Sequence, residues 1–390
     1  MVCWITNHSK HGTVMELQMR HALAISILTL AVYGVYPASR VVAADSKGAI
    51  TDLRKVDADY AYQGEYCGRA LIELPSRSCV WRNVGLQVIA LGNGNFDGVL
   101  YQGGLPGAGW WKGDPKWKFN GSLTDGVVTL KAENGQSITV DGHGGHIMDP
   151  PDSPLDEIGR VAKVHRSSPT LGMSPPSGSV VLFDGTDTGK LDNVSITEDG
   201  YLQIVPGSRK EIYTKDAYRD FTLHLEFRLP YMPHARGQGR SNSGVYLQQR
   251  YETQILDSFG LEGVHNECGG LYRQREPDVN MCLPPLTWQT YDIQFRAARF
   301  DGKSDKPVQL ARLTVRHNGV VIHNDYELTG KTGAGKQEAP EALPTKLQNH
   351  GNPVFFRNIW LVEGTTGSAC AVACRCKATK KGLLSRLFGN

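Results

Sequence analysis

Between residues 180 and 363 the chain is a succession of strand-length runs separated by turn residues, and no stretch carries a convincing helical period. An apolar run at 180–183 ends in Asp184-Gly185, and further runs follow at 201–205, 221–229, 244–248, 251–256, 291–297, 310–317, 320–323 and 354–362. Asn318-Gly319, between two of these, is the strongest hairpin signal, because both residues accept the positive φ of a two-residue turn. Short strands joined by tight turns must bury one face each, so the expected architecture is all-β, with two antiparallel sheets packed as a sandwich.

Upstream lies a second, smaller unit. Runs at 87–91, 127–130 and 137–140, with turns such as Gly92-Asn93-Gly94-Asn95, predict a small β domain over 45–166. Its glycine-rich patch carries Trp110, Trp111 and nearby Trp117, which either stack on a sugar or pack beneath the loop. His143 and His146 form an H-x-x-H pair that lacks a third metal ligand. Residues 167–179, SSPTLGMSPPSGS, read as a linker to the larger domain at 180–364.

The ends read differently. Arg20 and His21 precede an apolar run from Ala22 to Tyr36, and Val42-Ala43-Ala44 offers a cleavage site, so 1–44 is expected to be an export signal, with Met19 an alternative start. That places the mature protein in the periplasm or outside the cell, with no stable membrane span after cleavage. Export permits disulfides, and Cys67 with Cys79 and Cys268 with Cys282 are the local pairs to consider. Residues 365–390, with Cys370, Cys374 and Cys376, lose all alternation and read as a disordered tail. A net charge of +3 with no basic stripe argues against a nucleic-acid partner.

The chemistry is concentrated in Ser241 to Phe259, SNSGVYLQQRYETQILDSF. Glu252 and Gln254 share one strand face, and a bulge before Asp257 would return that carboxylate to the same side. Two carboxylates and an amide in a row suit sugar hydroxyls and acid/base work, although a solvated strand face has the same spacing.

Five ordered motifs then become recognisable: Val181-Leu182-Phe183-Asp184-Gly185, the run from Phe221 to Phe227, Asn242-Ser243-Gly244-Val245-Tyr246, the run from Tyr251 to Asp257, and the run from His350 to Ile359. Together they resemble the 3-keto-disaccharide hydrolase family. The resemblance implies a concanavalin A-like jelly-roll β-sandwich and an oligosaccharide or glycoside substrate. It also implies cleavage by C2 proton abstraction, elimination and hydration. On that reading Glu252 is the base, Asp257 assists the leaving group or positions water, and His350 makes the second proton transfer or holds the ketone. Glu226, Asn242, Gln254, Arg273 and Gln348 are the candidate hydroxyl binders. No cofactor is expected, and no Asp-rich loop supports calcium. Two alternatives keep the fold: a retaining glucanase using Glu252 and Asp257, and a lectin-like module without turnover.

Overall fold

The computed structural model describes residues 48–364, apart from 74, 75 and 77. The expected export signal at 1–44 and the cysteine-bearing tail at 365–390 lie outside the described residues. Eight antiparallel strands, from Gly64–Glu73 to Glu157–Val164, close into a barrel. They follow one another around it in chain order, interrupted by a short parallel pair at Leu105–Pro106 and Gly109–Trp110. The last strand then seals onto the first, with Ala162 opposite Cys67. Closure leaves no free edge, and alternate residues such as Tyr66, Leu86, Val88, Phe119, Leu130 and Val140 fill the interior.

Several local expectations resolve here. Trp110 is buried and donates its indole N–H to the Asp114 carbonyl at 3.0 Å, while Trp111 stays exposed. His146 pairs with Glu157 at 3.0 Å. Cys67 and Cys79 do not pair with each other. In the hairpin ladder Cys67 faces Gly85 and Cys79 faces Glu73, six residues further along. That is roughly 20 Å of strand, far beyond the reach of one disulfide. Cys268 and Cys282 are both buried and not joined by a disulfide: Cys268 Sγ lies 3.2 Å from the Tyr291 hydroxyl and Cys282 Sγ donates to the Leu256 carbonyl at 3.5 Å.

The larger unit is a two-sheet sandwich. One sheet has the order Val180–Phe183, Phe355–Glu363, Asp220–Arg228, Trp288–Arg296, Arg312–His317, Val320–Glu327, with Leu202–Gln203 added against Phe355–Glu363. The other runs Leu191–Asp192, Ile212–Ala217, Pro344–Leu347, Ser243–Leu247, Tyr251–Ile255. Inward residues of both sheets, among them Leu223, Leu225, Phe227, Val245, Leu247, Ile293 and Phe356, form one apolar core. The Asn318-Gly319 turn has φ of 49° and 79°, as its residues require.

Two features join the units. Ile89, Val99, Tyr101 and Trp110 of the barrel belong to the sandwich's core cluster. The linker is pinned to the far sheet, where Gly172 N–H donates to Glu226 at 2.5 Å and Thr170 to Asp292 at 2.8 Å.

Candidate active site

Ser243–Leu247 and Tyr251–Ile255 are joined by a turn in which Gln248 and Gln249 take φ of 48° and 55°. The side chains of the turn compensate for that conformation. Gln248 donates to the Tyr218 carbonyl at 2.8 Å, and the fully buried Arg250 donates to Gln337 and Glu341. The register sets Tyr246 opposite Glu252 and Gly244 opposite Gln254. Val245, Leu247, Tyr251 and Ile255 enter the core, so these four residues stand on the outer face. Pro344–Leu347 brings Lys346 opposite Tyr246, and Ile212–Ala217 brings Tyr213 opposite Lys346. One row across four strands therefore reads Tyr213, Lys346, Tyr246, Glu252.

Glu252 is nearly closed off from water at 3% exposure. Its backbone N–H donates to the Thr332 hydroxyl, and the segment from Thr332 to Gly335 is tied down by a 2.9 Å bond from Thr332 N to the Arg250 carbonyl. Gly244 leaves room beneath it, since a Cβ there would overlap Glu252 Oε1. Tyr246 donates its hydroxyl to Glu252 Oε2 at 2.8 Å. Lys346 Nζ sits 4.0 Å from the Tyr246 ring centre and pairs with Glu211 at 3.3 Å. Burial raises the Glu252 carboxyl to about 7, the Glu211 charge adds to the rise, and the Tyr246 hydrogen bond and the Lys346 charge restrain it. A carboxylate that gains and loses its proton near neutrality is suited to general base work.

Beside this row lies a patch of amides. Gln348 N–H donates to the Gly244 carbonyl at 2.9 Å, Gln254 Nε2 to Gln238 Oε1 at 3.0 Å, and Asn242 Nδ2 to the Gln238 carbonyl at 2.9 Å. The Gln348 bond is a backbone one, whereas Asn242 and Gln254 use the nitrogen end of the side chain; the side-chain oxygens Asn242 Oδ1, Gln254 Oε1 and Gln348 Oε1 are all buried without a hydrogen-bond partner. Three unpaired buried acceptors carry a free-energy cost that any donor reaching them would relieve.

The remaining expected residues are distributed differently. The ladder between the two strands runs in register from Tyr251 to Ile255 and ends there, without the bulge expected before Asp257. Asp257 lies past the strand's end, fully enclosed, with Oδ2 bound to Arg240 Nε at 2.7 Å and Oδ1 accepting from Phe259 N–H. Burial of a carboxylate demands such a partner, and Arg240 supplies it. His350 is exposed on the loop two residues after Gln348. Arg273 is exposed on another loop, against the Tyr272 ring, and Tyr272 borders the space above Gly333 together with Glu252 and Tyr246. Glu226 does not join them. It is on the outer face of the opposite sheet, where Arg357, Asn358 and Gly172 occupy its oxygens. Tyr246, Lys346, Glu211 and the Thr332–Gly333 segment were missed from sequence. Tyr246 alone had a visible signal, two positions from Gly244 on the same strand.

Among the described residues no group of three His, Cys, Asp or Glu side chains is placed to hold a metal ion, and no helix is long and apolar enough to cross a membrane.

The model of the 3-keto-alpha-glucoside-1,2-lyase-like domain matches residues 178–362. Residues 178–362 form a domain of that family. Three crystal structures of candidate glycosyl hydrolases from Parabacteroides distasonis are similar to part of this chain. The first is 32% identical, spanning 49% of this chain and 86% of its own, with a TM-score of 0.45. The second is 17% identical over 48% and 94%, with a TM-score of 0.37. The third is 22% identical over 48% and 99%, with a TM-score of 0.35. A comparison with curated proteins found no significant match. The lyase-like domain thus contains all the outer-face residues described above, and the barrel lies outside the matched segment.

Proposed function

We propose that the protein is a carbohydrate-active enzyme that cleaves 3-keto-glycosides, with Glu252 as the base. The supporting observation is the enclosed Glu252 carboxyl, raised to about 7 beside the Tyr246 hydroxyl. A ketone at C3 acidifies the C2–H. The Glu252 carboxylate takes that proton, the electron pair is held as an enolate on the C3 oxygen, and it then forms the C1=C2 bond as the C1–O bond to the aglycone breaks. The departing oxygen takes up the proton that Glu252 has removed, which restores the carboxylate, and water added across the C1=C2 bond, hydroxyl to C1 and proton to C2, completes a net hydrolysis. A base of moderate strength and no nucleophile is all that this route asks of the protein. The family's 1,2-lyase description is consistent with cleavage by elimination. The unpaired oxygens of Asn242, Gln254 and Gln348 accept from sugar hydroxyls.

Double displacement is disfavoured because its second carboxylate, Asp257, is committed to Arg240. The deciding experiment incubates the protein with a 3-keto-disaccharide and with the same sugar unoxidised. Turnover of the keto sugar alone, abolished by Glu252→Gln, supports the proposal. Turnover of the unoxidised sugar, or binding of both without turnover, rejects it.

A further inference from the structure

The barrel and the sandwich do not meet flush. Between them runs a groove of about 710 Å³, within the usual size of small-molecule sites, roughly 300–1,000 Å³. Its barrel wall carries Asp97 and Lys118, and its sandwich wall carries Arg240, Leu261 and Glu267.

Arg240 is the informative residue. Its side chain is 7% exposed and its Nε is engaged by Asp257, yet its Nη2 is buried without any hydrogen-bond partner. A guanidinium N–H in that state costs free energy that a ligand oxygen would recover. On the facing wall the exposed Asp97 accepts no hydrogen bond from the described residues, so its carboxylate is open to a ligand in the groove, and partial desolvation raises its carboxyl against the pull of Arg236, Arg240 and Lys118. The groove therefore offers one unpaired donor and one unpaired acceptor.

The other charges decide the ligand class. Lys116 and Lys118 are both paired with Glu262, at 2.5 and 2.7 Å. Arg236 donates to the backbone carbonyls of Pro233 and Leu91. The lining sets Lys116, Lys118, Lys131, Arg236 and Arg240 against Asp97, Glu133, Glu262 and Glu267, and Asp257 neutralises Arg240 from behind, so an anion entering the groove would meet as many carboxylates as cations. A neutral polyol avoids that conflict, because each hydroxyl both donates and accepts, and the C–H faces of a sugar ring suit the exposed Leu261.

We propose that the groove between the barrel and the sandwich binds a neutral saccharide, at a site separate from Glu252. The groove site does not rest on the reaction proposed above, because neither Asp97 nor Leu261 belongs to the outer-face row.

The test is isothermal titration calorimetry of the full chain carrying Glu252→Gln, with unoxidised maltotriose and cellotriose as probes. Saturable binding of at least one is expected, weakened tenfold or more by Asp97→Ala and, independently, by Leu261→Trp, which fills the groove from an exposed position. An unchanged Tm confirms that each variant is folded, and should one unfold the other decides. Lack of saturable binding by both sugars overturns the proposal, as does binding that neither groove substitution weakens. Citrate bound in place of the sugars, and displaced by Leu261→Trp, overturns the saccharide assignment.

Discussion

Tyr246 and Glu252 face each other across one antiparallel ladder, and the phenol O–H donates to the carboxylate at 2.8 Å. That bond stabilises the ionised carboxylate, while burial works against it. The balance leaves the proton affinity of Glu252 near neutrality, and the first predictions test its components.

Glu252→Gln is expected to abolish turnover of a 3-keto-glycoside and to alter the pH dependence of stability. The sign follows from the raised carboxyl. Its contribution is fully present below about 4.5, its ordinary value, and is lost as pH rises through about 7. Over that window the loss amounts to roughly 3 kcal/mol. Gln carries no such loss, so the variant should match the parent at pH 4 and exceed it at pH 8. Denaturant midpoints at the two pH values measure this.

Activity of the parent should rise with pH and reach half its plateau near 7, since only the ionised form can take a proton. Tyr246→Phe removes a hydrogen bond to the charged form, worth about 1.5–3 kcal/mol. Its pH profile should therefore move upward by at least about one unit. Lys346→Met removes a cation and should shift the profile in the same direction. Profiles of kcat/KM against pH check both, and a downward shift would show that neither group restrains the carboxyl.

Gly244→Ala places a methyl 2.4 Å from Glu252 Oε1, well inside contact distance. The carboxylate must move, so turnover should fall by tenfold or more while the chain stays folded. A small misplacement of a base is enough for such a loss. Steady-state kinetics beside a thermal melt separates the two effects.

Arg240→Met leaves Asp257 enclosed without its partner. The expected cost is about 3–5 kcal/mol, recovered in part by adding Asp257→Asn. Urea unfolding of the single and double variants reports it. If Asp257 instead serves the reaction directly, the double variant would fold yet stay inactive.

The strands were legible because burial on one side imposes a two-residue period, and the Asn318-Gly319 turn was legible because few residues accept its φ values. Glu252 and Gln254 could be placed on one face for the same reason. What lay beyond reach was pairing between distant segments. Lys346 meets Tyr246 only through the register of Pro344–Leu347, and Cys67 meets Ala162 only because the barrel closes. Glu226 could not be assigned to a sheet, because alternation reads the same on either one. Asp257 was misplaced because nothing in Ile255-Leu256-Asp257 marks where the ladder stops.

The pinned linker constrains how this molecule can be divided. Gly172 is fastened to Glu226 and the Met173 carbonyl to Asn358, while Ile89, Val99 and Tyr101 share apolar packing with the sandwich. A fragment beginning at residue 178 would keep every residue of the outer-face row. It would nevertheless leave Glu226 without one of its donors and expose greasy surface that the barrel now shields, so truncation should yield a sticky, poorly soluble product. The barrel thereby shields apolar surface of its neighbour, and the two units are better probed by point substitution than by cutting the chain.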